Sequence, residues 1–321
     1  MLRQKTLFGL ALASALALGF LAALLIFPIR QSDGDTCSGR YPFLSTKVGC
    51  VDDNSNTFVA LDARLEEATS LYVRTGKAKR VSVWARDLVT SRWAASNETE
   101  IYSPASLLKL PVLIAYYRYA MLSPNILTES ILYKGPLGKV DSTLHFTKPT
   151  TLVSGTSYSV SDLLSKMITN SDNDASLTLS SKVEPAFYQQ TLIDLGIQVP
   201  TDKNVFDYVT AKSYANMFRI LYTASYLTPE LSEKALDLLS QSTFKGIGEL
   251  LPSSIQIAHK FGERTIIGPD GSIQTRELHD CGIIYRKNAN PYSLCVMTEG
   301  DNFDDLLTVI QNISLLTYNN I

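Results

Sequence analysis

The sequence predicts an α+β fold in which strands from both ends of one domain share an antiparallel sheet, with helices covering the sheet and a helical lobe beside it. Three observations predict this arrangement. A helical pattern and two alternating strand patterns open the domain, helical periodicity fills its middle, and strand patterns return before a last amphipathic helix. The 321 residues are 45% hydrophobic and 19% charged, as in ordinary globular proteins.

An apolar segment precedes this domain. Residues 7–27 contain no charged side chain, and a helix of that length crosses a bilayer core of about 30 Å. Arg3 and Lys5 lie before it, so we expect the N-terminus in the cytoplasm. A single transmembrane anchor is favoured over a cleaved signal peptide, because the apolar run is long and has no small-x-small pair at its end.

The chain is therefore expected to consist of three segments. Residues 1–30 are a cytoplasmic stub with the anchor, residues 31–55 a polar, turn-rich linker, and residues 56–321 the folded domain. With this topology the domain lies on the extracytoplasmic face and contacts the membrane through its N-terminal helix. Cleavage of the apolar segment would instead give a secreted protein.

Charge and ligand chemistry exclude several function classes. A net charge of −2 gives no indication of nucleic-acid binding. The histidines and cysteines show no zinc-binding spacing, and we expect neither a metal nor another cofactor. Export permits disulfides, but four cysteines allow three pairings and the sequence does not choose among them. They are Cys37, Cys50, Cys281 and Cys295.

The elements of the domain follow from periodicity and from start and stop residues. The first helix ends near Gly76. An apolar helix in the first half of the domain is predicted to have Ser103 as its cap and Pro104 as its first residue. The remaining predictions are a helix at 58–73, strands at 79–88 and 91–96, helices at 160–169, 175–182, 186–195, 211–222 and 229–239, strands at 255–261, 281–286 and 292–298, and a helix at 303–317.

Three short motifs carry candidate catalytic residues. Ser106 and Lys109 form the first, Ser171 to Asn173 the second, and Lys260 to Gly262, on a predicted strand, the third. Residues three apart share a helix face, so the Lys109 amine lies beside the Ser106 hydroxyl. A serine hydroxyl needs an adjacent base, and a lysine is a base at neutral pH only if burial and positive charge lower its pKa. We expect Lys260 to supply that charge.

Each motif is weak evidence by itself. Ser-x-x-Lys recurs at residues 242–245, where glycines follow instead of a buried helix, and Ser-Asp-Asn is usually a cap or a turn. The combination is far more specific. Residues 102–112, 158–175, 239–263 and 282–300 together resemble the serine β-lactamase and penicillin-binding protein superfamily, most closely the class A β-lactamases.

The resemblance implies a β-lactamase/transpeptidase-like fold and a catalytic role for four residues. Ser106 is the nucleophile that a β-lactam or a peptide carbonyl acylates, and Lys109 is its base or proton relay. Ser171 passes a proton to the leaving nitrogen. Lys260 stabilises the electrostatics of the site and binds a substrate carboxylate.

The resemblance also implies substrate-binding residues. Asn173 hydrogen-bonds the substrate amide, whereas Asp172 holds the local backbone. Gly262 and Glu263 lie on the strand beside the substrate. The backbone N–H groups of Ser106 and Glu263 form the oxyanion hole, in which two donors contribute several kcal/mol.

The first departure from class A enzymes concerns deacylation. Those enzymes carry a glutamate on an Ω-loop that activates the deacylating water, whereas residues 196–208 contain only Asp202 and Asp207 as carboxylates. Glu184 lies too early in the chain. We expect Asp202 and Asp207 to be turn or capping residues, so that hydrolysis of an acyl-enzyme is slow.

The second departure concerns recognition of a carboxylate. Phe261 replaces the usual hydroxyl residue of the third motif, removing a hydrogen bond and adding bulk. The usual arginine before Gly282 is absent, since Asp280 and Cys281 stand there. Arg264 and Arg276 are expected to be solvated surface residues. Either the substrate differs from those of the family, or the affinity for β-lactams is weak.

Three functions remain open on this basis. The first is a serine acyl-transfer hydrolase, like a D,D-peptidase or penicillin-binding protein, that acts on cell-wall peptide or a related amide. The second is a class A-like β-lactamase whose deacylation another group supports. The third is a non-catalytic binding or sensing module of the same fold. The motif set argues against the third function, and the missing glutamate argues against the second.

Overall fold

The computed structural model describes residues 57–136, 143–202 and 204–321. The predicted anchor, the linker, Cys37 and Cys50 all lie outside these residues. Within the described ranges, no helix has both the length and the apolar character needed to cross a membrane.

Helices and strands follow the predicted order. The described residues form eight α-helices: α1 (Thr57–Arg74), α2 (Lys109–Leu122), α3 (Val160–Thr169), α4 (Asn173–Ser180), α5 (Pro185–Asp194), α6 (Ala211–Tyr222), α7 (Pro229–Ser240) and α8 (Phe303–Tyr318). The strands are β1 (Arg80–Asp87), β2 (Trp93–Ser96), β3 (Ser130–Leu132), β4 (Ser157–Ser159), β5 (Gln256–Ile267), β6 (Ile273–Tyr285) and β7 (Tyr292–Gly300).

Five of the strands form one antiparallel sheet in the order β2-β1-β7-β6-β5. The early strand β1 pairs with the late strand β7, with Val83 opposite Val296. This pairing confirms the prediction that strands from both ends of the domain share a sheet. Cys281 of β6 lies opposite Cys295 of β7, and the two form a disulfide. The sheet ends at β5, whose outer edge is available to the catalytic segments.

Alternation along the strands divides the core into two clusters, one on each face of the sheet. Val83 and Val296 face α1 and α8, where they join Leu61 and Ile310. Trp84 faces the helical lobe instead, in a larger cluster that contains Leu110, Met167, Phe218 and Met297. The sheet therefore holds the helical lobe against one face, and the candidate catalytic residues come from both the lobe and β5.

The structure corrects the predicted start of the nucleophile helix. A short 3-10 turn at Ala105–Leu108 precedes α2, and the Ser103 side chain makes no capping hydrogen bond. Ser103 is instead tied to β6 through its backbone. Its N–H donates to Glu277 Oε1 (3.4 Å), and its carbonyl lies 3.1 Å from His279 Nε2. These contacts hold the chain outside the helix until Ala105.

Two further differences concern strands. β5 and β6 extend well beyond the predicted residues 255–261 and 281–286. Their added ends carry charged residues on both faces, which removes the alternation that predicts a strand. The two-stranded sheet of β3 and β4, with three residues in each strand, was not predicted. Strands this short leave too little periodicity to recognise.

Candidate active site

The candidate nucleophile lies on a tight turn that is pressed against the edge strand. Ser106 is partly exposed, and Ala105 before it has a φ of 45°, which is uncommon for a residue other than glycine. Gly262 of β5 lies opposite this turn. A Cβ at Gly262 would come within 3.1 Å of both Leu107 N and Pro104 O. A side chain at position 262 would therefore push β5 and the Ser106 turn apart by a few tenths of an ångström.

Lys109 occupies a buried position at the centre of the site. Its Nζ donates hydrogen bonds to Ser106 Oγ (3.0 Å), the Ser171 carbonyl (2.5 Å) and Asn173 Oδ1 (2.7 Å). Burial lowers the pKa of Lys109 to about 7, although the charges of Asp172 and Glu263 oppose the shift. At neutral pH a large share of this amine is unprotonated, which makes it a usable base for the Ser106 hydroxyl.

Ser171 connects the two lysines of the site. Its hydroxyl accepts hydrogen bonds from Lys109 Nζ and from Lys260 Nζ, each at 3.0 Å. Ser171 and Lys260 are both fully buried. Burial, followed by the positive charge of Lys109, lowers the pKa of Lys260. Four predicted residues, Ser106, Lys109, Ser171 and Lys260, thus form one continuous path for a proton.

The second motif is held by its middle residue. Ser171 has a φ of 54°, a strained value for serine. Asp172 caps α4 by accepting from Ala175 N (3.0 Å), and it also accepts from Thr150 Oγ1 (2.7 Å). This agrees with the expectation that Asp172 holds the backbone. The cap fixes the direction in which Ser171 and Asn173 project on either side of it.

Glu263 has a structural role that the sequence did not indicate. Its buried carboxylate accepts from the backbone N–H groups of His145 (2.8 Å), Phe146 (3.1 Å) and Thr147 (2.5 Å). Thr265 Oγ1 also donates to the Thr143 carbonyl (3.1 Å). Segment 143–147 is therefore tied to β5 beside Ser106. No local pattern signals this contact, because its partners lie 116–118 residues apart.

A cavity of about 400 Å³ opens beside Ser106. Ser106 and Asn173 lie on one wall, Glu263 and Arg264 on another, and Phe206 and Tyr208 of the short loop before α6 on a third. The buried Ser171 and Lys260 do not line it. The scissile bond of a substrate attacked by Ser106 would therefore separate an acyl group in this cavity from a leaving group on the Ser171 side.

Arg264 was expected on the solvated surface, and the structure corrects that expectation. The side chain is 26% exposed and lines the Ser106 cavity. Its guanidinium lies 4.7 Å from the Phe206 ring centroid and 3.5 Å from Asp207 Oδ1. The guanidinium also lies 3.9 Å from the buried Glu277 of the neighbouring strand β6. Burial and, after it, the charge of Asp207 raise the pKa of Glu277 to about 7. Arg276 lies outside this cavity and is partly buried, with its guanidinium donating to the Asp301 carbonyl.

Phe261 also lies in a different place from the one expected. Alternation along β5 turns its ring away from the Ser106 cavity, and the side chain is only 4% exposed. The ring stacks on Phe244 with centroids 4.1 Å apart. Lys260 Nζ lies 4.3 Å from its centroid. The bulk of Phe261 therefore does not fill the substrate cavity, although the hydroxyl of the usual residue is still missing.

The other carboxylates considered from the sequence are engaged elsewhere. Asp202 accepts from Asn204 N (2.9 Å) in a turn, and Glu184 caps α5. Asp280, at the position of the missing arginine, is buried and accepts from Ile247 N (2.9 Å). In the part of the chain that the structure describes, Glu263 is the one acidic residue among those lining the Ser106 cavity. Three backbone N–H groups already occupy it.

A serine hydroxyl bonded to a buried lysine, with a second serine between two lysines, belongs to a serine hydrolase that works by acyl transfer. The model of the Beta-lactamase enzyme family matches residues 63–321, and the chain belongs to this family. No curated protein matches the chain.

Solved structures with the same fold include β-lactamases and a penicillin-binding protein. A mutant of PBP-A in acyl-enzyme complex with penicillin G superimposes with a TM-score of 0.67 at 17% identity, covering 81% of this chain and 96% of that one. The β-lactamases of Chitinophaga pinensis and Xanthomonas campestris each give a TM-score of 0.67, at 17% and 18% identity. Each match covers 81% of this chain and 98% of the other. These similarities establish the β-lactamase fold, with its antiparallel sheet and flanking helices.

Proposed function

We propose that this protein is a D,D-peptidase of the penicillin-binding type, which transfers the acyl group of a cell-wall peptide or related amide and forms a long-lived acyl-enzyme with β-lactams. One observation carries the proposal. Among the described residues that line the Ser106 cavity, Glu263 is the one acidic residue, and its carboxylate oxygens accept three backbone N–H groups of segment 145–147. A carboxylate whose oxygens are held by these three donors is not positioned to take a proton from a water beside Ser106.

Acylation uses the hydrogen-bonded path from Ser106 to Lys260. Ser106 Oγ attacks the substrate carbonyl while Lys109 Nζ, 3.0 Å away, takes its proton. The backbone N–H groups of Ser106 and Glu263 stabilise the oxyanion. When the intermediate collapses, the C–N bond breaks and the Ser171 hydroxyl gives its proton to the leaving nitrogen. Lys109 then returns a proton to Ser171 across their 3.0 Å contact.

Turnover requires an acyl acceptor and a base for it. Water or an amine must attack the ester carbonyl after the leaving group departs, and Lys109 is the base nearest to Ser106. A peptide leaving group departs and makes room for water or an amine beside the ester carbonyl. The leaving nitrogen of an opened β-lactam instead stays covalently attached to the acyl group. Slow release from β-lactams is therefore expected together with turnover of peptides.

The location is part of the proposal. The apolar residues 7–27, with Arg3 and Lys5 before them, support an uncleaved anchor that places the catalytic domain on the extracytoplasmic face, where cell-wall peptide lies. The intact mass of the protein purified from the membrane fraction tests this. A mass that includes residues 1–30 supports the anchor, and a mature form beginning after them would contradict it.

The deciding experiment follows the mass of the full-length protein over time with benzylpenicillin, beside the Ser106→Ala variant. A lasting adduct that is absent from the variant is expected. Release of D-alanine from a diacyl-D-alanyl-D-alanine peptide should also depend on Ser106. No adduct and no D-alanine release would contradict the proposal.

The second candidate is a β-lactamase. Lys109 favours it, because a lysine with a pKa of about 7 that lies 3.0 Å from Ser106 Oγ is able to activate water once acylation is complete. The same time course separates the two functions. A transient adduct with hydrolysed penicillin accumulating over many turnovers would identify a β-lactamase.

A further inference from the structure

A second cavity, of about 320 Å³, lies between β1 and α6. It shares no lining residue with the Ser106 cavity. Trp84 and Arg86 of β1 form one side, and Lys212, Asn216 and Arg219 of α6 form the other. No step of the proposed reaction uses these residues.

Three cations converge on this cavity without a counterion. Arg86, Lys212 and Arg219 line it, no acidic residue lines it, and none of the three forms an ion pair within the described ranges. Asp87, next to Arg86 in the chain, points to the other face of β1, where it accepts from Val89 N (2.9 Å). Like charges held together in this way repel each other unless an anion lies between them.

The polar groups of the cavity have unused hydrogen-bonding capacity. Arg86 Nε is buried and has no hydrogen-bond partner among the described residues. Burial and the charge of Arg219 both lower the pKa of Arg86. Among the described residues, the Arg219 guanidinium donates one hydrogen bond, from Nε to Asn216 Oδ1 (2.9 Å), and this contact does not use the Asn216 amide hydrogens. A buried donor without an acceptor is costly, and an anionic ligand would satisfy it.

We propose that this cavity binds a phosphate group, presented as inorganic phosphate or as a small phosphate ester. The cavity offers hydrogen-bond donors from two guanidinium groups, the Lys212 ammonium and the Asn216 amide. These are more donors than the two oxygens of a carboxylate accept, whereas a phosphate has three or four oxygens. The N-terminus of α6 at Ala211 adds partial positive charge on the same side. The volume leaves room for a small substituent on the phosphate.

The protein carries its own reporter for this site. Trp84 and Trp93 are the two tryptophans of the chain. Their rings stack with centroids 4.8 Å apart, and Lys212 Nζ lies 5.0 Å from the Trp84 centroid. An anion that moves Lys212 or Arg86 therefore changes tryptophan fluorescence. The effect should be the same in Ser106→Ala, because the site is independent of acyl transfer.

The test is a fluorescence titration of the full-length protein at constant ionic strength. The probes are inorganic phosphate, glycerol 3-phosphate and acetate, with the melting temperature measured in parallel. We expect saturable binding of the phosphate probes and at least tenfold weaker binding in Arg86→Gln and in Arg219→Gln. Arg276→Gln is the matched control, since Arg276 is a partly buried arginine that lies outside the cavity, and it should bind like the unmodified protein. Tighter binding of the ester would identify an ester as the ligand, and equal binding would identify free phosphate.

Three results would overturn the inference. The first is no saturable fluorescence change together with no rise in melting temperature at millimolar phosphate. The second is acetate binding as tightly as phosphate. The third is unchanged phosphate affinity in Arg219→Gln, whose guanidinium lines the cavity together with that of Arg86.

Discussion

The two sides of Ser106 are built differently. On the Ser171 side the reacting groups are buried and joined by hydrogen bonds of 2.5–3.0 Å, with Lys109 and Lys260 sharing one hydroxyl. On the other side Arg264 and Phe206 line an open cavity in which the contacts are longer, at 3.5–4.7 Å. Proton transfer depends on the first side, and accommodation of the acyl group depends on the second.

This difference shows which part of the site is constrained by chemistry. The Ser171 side keeps the motif residues Ser106, Lys109, Ser171 and Lys260, since a proton path fails if one member is displaced. The cavity side lacks the Ω-loop glutamate of the class A enzymes and carries Arg264. We therefore expect the residues that line this cavity to be adapted to the acyl group of the substrate. The variants below test whether the two sides are as separate as the geometry indicates.

The largest effect is expected from Lys109→Ala. Removing a general base costs about 10²–10⁴-fold in rate, and here the same amine also returns the proton to Ser171. Acylation by a fluorescent penicillin should therefore fall by about 10³-fold or more, while circular dichroism shows an intact fold. Unchanged labelling would remove Lys109 from the mechanism.

The second effect is a pH dependence of acylation. The pKa of Lys109 is lowered to about 7, and only the neutral amine accepts the Ser106 proton. The second-order acylation rate should rise tenfold per pH unit below pH 7 and level off above it. Stopped-flow acylation between pH 5 and 9 measures this profile. A rate that is flat across pH 7 would mean that the acylating base does not titrate there.

Glu263→Ala tests the contact that holds segment 143–147 against β5 beside Ser106. The variant keeps the backbone N–H but leaves the N–H groups of residues 145–147 without their acceptor. A loss of about 2 kcal/mol in the free energy of unfolding is expected, with faster proteolysis near residue 145. Glu263→Gln retains one acceptor oxygen and should lose less. Equal stability of all three proteins would mean that the segment is held by other contacts.

The sequence predicted the chemistry of the site better than its shape. Ser106 and Lys109 are three residues apart, so their contact is local and a motif reveals it. The bond from Glu263 to Thr147 and the position of Arg264 in the cavity depend on how distant segments pack. The same reason explains why the Cys281–Cys295 pair could not be chosen from the sequence, since it follows from the register of β6 and β7.

Sequence patterns also failed to predict element boundaries where charged residues interrupt the alternation of a strand or where tertiary contacts delay the start of a helix. The charged residues Glu263, Arg264 and Glu277 lie in strands whose predicted ends fall short of them. Ser103 and Pro104 have the pattern of a helix start, but the backbone of Ser103 is bonded to β6 and the first turn after Pro104 is a 3-10 turn, so the α-helix begins only at Lys109. Tertiary contacts of this kind override local propensity.

The smallest effect, and the sharpest test of the cavity side, is selectivity in Arg264→Ala. No acceptor in the described residues forms a hydrogen bond with the Arg264 guanidinium, and it faces the cavity that takes the acyl group. Carbenicillin and benzylpenicillin differ by one carboxylate on the acyl side chain. The ratio of their acylation rates should fall about tenfold in the variant, equivalent to about 1.4 kcal/mol, because only carbenicillin loses an ion pair. Arg276→Ala, which removes a partly buried arginine outside the cavity, should leave the ratio unchanged. An equal fall in both rates would mean that Arg264 supports the turn at Ser106 instead. The cavity side would then affect the reacting groups, and the two sides of Ser106 would not be independent.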